Sequence, residues 1–318
     1  MAESISRPIA ISESPSRPGF GLTDVLLFAM AAIWGSNFVV VKYATRIFDP
    51  VAFTGLRVGT VAIFMVLFAF LRGAGNGEGA TSRRARTGAL RRGVIGRLIL
   101  LGVLGNGLYQ LFFVHGVART RAGNAALIVG AAPAFIALAA RAKGLERVER
   151  TTMLGIALSI VGVALVMVGS ANSGAGQTTL LGSVLVFLGV ICWTLYTVLL
   201  QPYTKRLDAI TLSALTLVGG AVPLLIASGP AIIGTDWSRV GTGGWLALFY
   251  SSIVSMGIAY VFYYRGLRVL GPTRTAVYSN LQPIIALLVA WPLLGETPTI
   301  FQAVGAATIV AGVFMTRA

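Results

Sequence analysis

Long apolar stretches almost free of formal charge recur from residue 24 to the end of the chain. No other feature restricts the possible folds as strongly. A helix rises about 1.5 Å per residue, so about 20 apolar residues cross the ~30 Å hydrocarbon core of a bilayer. Weighing apolar runs against polar interruptions predicts ten such crossings, near residues 24–43, 51–71, 97–118, 122–141, 151–169, 180–200, 210–228, 245–265, 274–293 and 299–316. Only 11% of the residues are charged and 56% are hydrophobic, whereas a soluble domain carries about 25% charged residues. The expected class is an all-α membrane protein with the lipid bilayer as its solvent.

The formal charge of +15 could point to nucleic acid, but in a chain this apolar it marks cytoplasmic loops instead. Nineteen Lys and Arg residues fall in the N-terminal segment and alternate connections, five on the opposite side, and Arg57 alone inside a span. Both termini are therefore expected in the cytoplasm, with the chain multi-pass in a bacterial inner (plasma) membrane. Residues 1–23 are rich in Ser, Pro, Glu and Arg without the apolar core of a signal peptide, so a disordered cytoplasmic tail and a retained first span are expected. Residues 72–96 form the one long, strongly basic connection. A single Cys192 excludes an intramolecular disulfide, and a single His115 argues against a metal cluster. No Gly-x-x-x-x-Gly-Lys phosphate loop is present. No cofactor and no metal are expected.

The chain also repeats itself. A shift of 159 residues lays Trp34 on Trp193, Val39 on Val198, Thr45 on Thr204 and Asp49 on Asp208; a shift of 150 lays Gly116 on Gly266, Ala126 on Ala276, Pro133 on Pro283, Glu146 on Glu296, Gly155 on Gly305 and Gly162 on Gly312. Each copy holds five spans, an odd number, so the second copy starts from the opposite side of the membrane. The architecture predicted is ten transmembrane helices as two inverted five-helix repeats. Such duplications put a binding site near the midplane between halves that open alternately to each side.

Within this frame the residues Trp34-Gly35-Ser36-Asn37-Phe38 with Lys42, Leu56-Arg57, Pro133, Asn280-Leu281-Gln282-Pro283, Leu294-Gly295-Glu296, Gly305 and Gly312 resemble the drug/metabolite transporter superfamily, specifically its ten-span EamA-type permeases. The likeness covers residues 24–316, with a first EamA-like repeat over 24–170 and a second over 171–318. In the first copy the Leu-Gly-Glu element is altered to Gly144-Leu145-Glu146. The resemblance implies transport of amino acids, nucleosides, sugars, cationic compounds or other metabolites by alternating access. Amino acid export is the leading expectation. A multidrug or nucleoside/sugar permease of the same architecture is the alternative, with a channel, a scaffold or an intramembrane enzyme behind it. A small-molecule substrate is the expected partner, nucleic acid is not, and a monomer is sufficient although a homodimer is compatible.

Polar and aromatic residues deep in the spans are the natural cavity candidates, because a polar group at membrane depth must face protein or water. The substrate contacts expected are Trp34, Asn37, Gln110, Trp193, Tyr196, Tyr260, Tyr264 and Asn280, with Asn106, Gln282, Tyr109 and Tyr263 sharing depth and type. The same amides could instead hold helices together. Pro133 and Pro283 are expected to kink spans four and nine. Gly55 and Gly59 predict close helix contact. Arg57 could pair with a substrate carboxylate, but snorkelling to the interface or binding carbonyls is the commoner fate of such a residue. No carboxylate sits firmly at midplane, which lowers the expectation of proton or sodium coupling.

Overall fold

Two aspartates at matched places in the repeat start two long helices. The carboxylate of Asp49 accepts the backbone N–H of Val51 and Ala52 at 2.8 and 3.2 Å, and Pro50 occupies the first helical position, where its missing N–H costs nothing. Asp208 does the same for Ile210 and Thr211, both at 3.1 Å. The computed structural model describes residues 21–75, 92–144, 150–171, 176–297 and 299–315, and among these every regular element is a helix. The expected tail, the centre of the basic connection and Glu146 lie outside the described residues.

In chain order the helices are α1 Leu22–Ala44, α2 Pro50–Gly75, α3 Arg92–Gly102, α4 Tyr109–Arg119, α5 Ala122–Gly130, α6 Ala132–Ala142, α7 Arg150–Ala171, α8 Gly176–Thr204, α9 Ala209–Ile233, α10 Thr242–Phe249, α11 Ala259–Val269, α12 Pro272–Tyr278, α13 Leu281–Leu294 and α14 Ile300–Met315. Wider π-helical windings at Val103–Leu108 and Tyr250–Ile258 join α3 to α4 and α10 to α11. Seven of the resulting rods are long and apolar enough to cross a bilayer. Leu281–Leu294 and Ile300–Gly312 are shorter apolar helices, so two of the ten expected crossings are less than full length as continuous rods. The ninth is short because the chain turns at Ser279 and Asn280, dividing the expected rod into α12 and α13. Ile63, Leu67, Ile226 and Leu288 stand exposed on the outside of the bundle, as side chains facing lipid should.

Two helix pairs flank the bundle, α2 against α9 and α7 against α14. Both need small residues at the crossing. A Cβ on Gly55 would meet the Ser228 hydroxyl at 1.9 Å, and one on Gly162 would stand 2.9 Å from the Gly305 carbonyl. Side chains larger than hydrogen would push these axes apart. Between the pairs, α1 packs on α11 and α13, while α8 packs on α4, α5 and α6.

Regular α-helical hydrogen bonding is interrupted at Ala131 and at Ser279–Asn280, where right-handed backbone is carried on by tighter bonds such as Ala134 N–H to the Ala131 carbonyl at 3.1 Å. Pro133 and Pro283 each fall in the first turn of the segment that follows, α6 and α13. There the absent N–H is one the helix start would leave unused anyway.

Candidate functional site

The interruptions at Ala131 and Ser279–Asn280, the second π-helical winding and the middle of α1 and α8 converge on one central cavity. Trp34, Asn37 and Phe38 of α1, Arg57 of α2, Tyr109, Gln110 and Phe113 of α4, Trp193 of α8 and Tyr260 of α11 form most of its wall. Val129, Ala132, Ser279 and Gln282 add the interrupted segments, and Ser255 and Met256 the second winding. The space open to the centre of a water molecule is about 40 Å³, room for roughly three waters.

Aromatic rings make the tightest part of the wall. Trp34 and Trp193 meet edge to face at 5.7 Å, Tyr109 lies 5.0 Å from Trp193, and Tyr260 is 5.9 Å from Trp34 and 5.7 Å from Trp193. Edge-to-face pairs at this spacing align ring hydrogens with π faces and hold the rings in place. The second winding supplies backbone acceptors. The Trp34 indole N–H donates to the Ser255 carbonyl at 2.9 Å, and one guanidinium nitrogen of Arg57 donates to the Ser251 carbonyl at 3.3 Å. Gln110 donates to the Tyr260 hydroxyl at 2.9 Å.

Several polar atoms at the cavity have no partner. The Asn37 and Gln110 carbonyl oxygens are buried and unpaired, as are Nε and Nη1 of Arg57. Arg57 is 1% exposed, so it does not snorkel, and the rings of Phe113 and Phe53 flank its guanidinium at 5.8 and 5.9 Å. Buried charge in such a setting is costly unless something completes its hydrogen bonds.

Of the eight residues expected to contact substrate, Trp34, Asn37, Gln110, Trp193 and Tyr260 line the cavity. Tyr196 and Tyr264 instead bond to each other through their hydroxyls, with Thr216 3.2 Å from the Tyr196 oxygen. The Tyr196 ring lies against the Gly105 backbone, where a Cβ would come within 2.3 Å. Tyr264 borders a separate hollow with Asp208, Arg265 and Arg268. Asn280 sits in the turn between α12 and α13, and its neighbours Ser279 and Gln282 face the cavity instead. Ser255 and Phe113 are wall residues that depth and polarity did not single out. A serine or phenylalanine in an apolar span is common, and only the partner helix distinguishes these.

Both ends of the bundle are tied. At one end the Lys42 ammonium donates to the carbonyls of Val117, Ala118 and Thr120 at 3.1, 3.0 and 2.7 Å. There too the Glu296 carboxylate accepts the first N–H groups of α5, from Ala122 and Gly123, at 3.0 and 3.2 Å. Arg121 donates to the Thr297 carbonyl at this same end. At the other end the Tyr278 hydroxyl donates to Asp24, and Arg265 to the Thr23 hydroxyl.

The sequence model of the EamA-like transporter family matches residues 21–168 and, a second time, residues 180–318. YyaM of Bacillus subtilis (strain 168), named an uncharacterized transporter, is 27% identical over 291 residues, or 91% of each chain. YedA of Escherichia coli (strain K12), named an uncharacterized inner membrane transporter, is 26% identical over 272 residues, covering 85% of this chain and 82% of that protein. A solved crystal structure aligns with 93% of this chain and 98% of its own, at a TM-score of 0.65 and 19% identity. That last likeness is one of fold.

Proposed function

The chain belongs to the EamA-like transporter family and is a multi-pass membrane transporter, and on that premise we propose that it exports an amino acid by alternating access between two inverted halves. The central cavity carries this reading. Its wall joins residues at matched places of the two sequence repeats: Trp34 meets Trp193, 159 positions on, and Gln110 meets Tyr260, 150 positions on. The helical winding changes at Tyr250–Ile258 and at Ser279–Asn280 beside this cavity, and interrupted helices are how secondary transporters bring backbone groups to a substrate without exposing them to lipid. Aromatic walls with a few polar anchors suit a small amphipathic solute.

Saturable, trans-stimulated counterflow of pooled radiolabelled amino acids by the purified protein in liposomes is the expected result. A channel conducts without trans-stimulation, and a scaffold or enzyme gives no exchange. Either outcome overturns the carrier reading. Efflux from preloaded cells, faster with the gene than without it, tests the direction.

A further inference from the structure

We propose that Arg57 is the anion anchor of the central cavity, and that the transported solute carries a carboxylate which completes this guanidinium's hydrogen bonding. The proposal rests on the transport reading and adds to it the charge that the cargo must bear and the atom that reads it.

An arginine side chain keeps its charge in any protein environment. Arg57 is 1% exposed and holds one partner, the Ser251 carbonyl; two of its three nitrogens have none. Among the described residues no carboxylate lies within ion-pair distance of it. Flanking phenylalanines shield the group from lipid without satisfying its N–H bonds. A buried cation left this incomplete in the wall of a cavity calls for an anion from within that cavity.

The unpaired carbonyl oxygens of Asn37 and Gln110 then suit an N–H donor elsewhere on the same solute.

The test uses the full-length wild type and its Arg57→Gln and Arg57→Lys variants in low-chloride buffer. The probes are phenylalanine, phenylalaninamide, 3-phenylpropionate, 2-phenylethylamine, acetate and chloride. Binding is read by thermal shift and by tryptophan fluorescence, and exchange by counterflow. Carboxylate probes are expected to stabilise the wild type while the amide, the amine and chloride do not. Arg57→Gln should weaken carboxylate binding by about tenfold or more, and Arg57→Lys should retain part of it. Equal binding of phenylalanine and its amide by the wild type overturns the proposal without reference to any variant, so a misfolded variant does not rescue it. So does equal carboxylate binding by the Arg57→Gln variant, an equal effect of chloride, or no effect of any carboxylate probe. Exchange without carboxylate preference leaves transport standing and removes the anchor. Carboxylate binding that depends on Arg57 without any exchange keeps the anchor and removes transport.

Discussion

Trp34 connects the two sides of the cavity through one side chain: its indole N–H holds the Ser255 carbonyl, and its ring lies against Trp193 and Tyr260. Trp34→Ala should lower exchange by about tenfold or more, because an aromatic contact and a hydrogen bond are each worth about 1 kcal/mol. Membrane expression should persist, and counterflow at matched protein level is the check. Trp34→Phe keeps a ring and should lose less. A second expectation follows from charge. Two like charges about 4 Å apart repel by about 4 kcal/mol at an effective dielectric near 20, so organic cations should compete poorly with amino acids for exchange. Strong inhibition by a cation such as tetraphenylphosphonium would contradict this. Depth and residue type led from the sequence to Trp34, Asn37, Gln110, Trp193 and Tyr260, which line the cavity. Tyr264 shares a helix face with Tyr260 but lies one turn, about 5.4 Å, further along the axis, beyond the cavity wall. Arg57 was readable only as a choice between fates. A single span shows how deep a residue lies but not that Phe113 and Ser251 of other helices will enclose it.

One close crossing was legible because it depends on local chemistry: Gly55 and Gly59, read as a close helix contact, stand against Ser228 and Leu225 of α9 with no room for a Cβ. Gly162 and Gly305, noted only as landmarks of the repeat, form a second such crossing. The paired glycines are also testable: Gly162→Val would drive a side chain into the Gly305 carbonyl and the Ile309 side chain, at 2.9 and 2.6 Å from the Cβ alone. Overpacking of this kind costs about 1–3 kcal/mol, so the variant should melt earlier in detergent than wild type, while a substitution at Gly229, whose Cβ would meet nothing within 4 Å, should not. The windings at Val103–Leu108 and Tyr250–Ile258 left no comparable trace. One additional residue per turn rotates everything beyond it around the helix axis, yet an apolar run reads the same with or without it. For the same reason the prolines marked where the helices change but not how. Whether a rod kinks or parts depends on the neighbours that satisfy the freed carbonyls.

A carrier needs two rims that are not open at once, and polar ties join helices at both ends of this molecule. The end that holds Lys42, Arg121 and Glu296 is the more elaborate. The connection after α4 has its final carbonyls held by an ammonium, while the next helix has its first N–H groups held by a carboxylate. Each tie opposes a helix-end charge with a side chain of the opposite sign, an interaction worth about 0.3–2 kcal/mol. Ties of that size can hold a closed rim and still release it when a solute shifts the balance between states. From the excess of basic residues on the opposite side of the chain we expect this rim in the periplasm. Cysteines introduced at Arg121 and Thr297, in a Cys192→Ser background, should therefore react with an impermeant maleimide added outside intact cells. Joining them with a reducible bis-maleimide should stop counterflow, and cleaving the linker should restore it, since the variant's inactivity would then come from the link and not from misfolding. Undiminished exchange with the link complete would mean that this rim never opens during transport, and the alternating mechanism would fall with it.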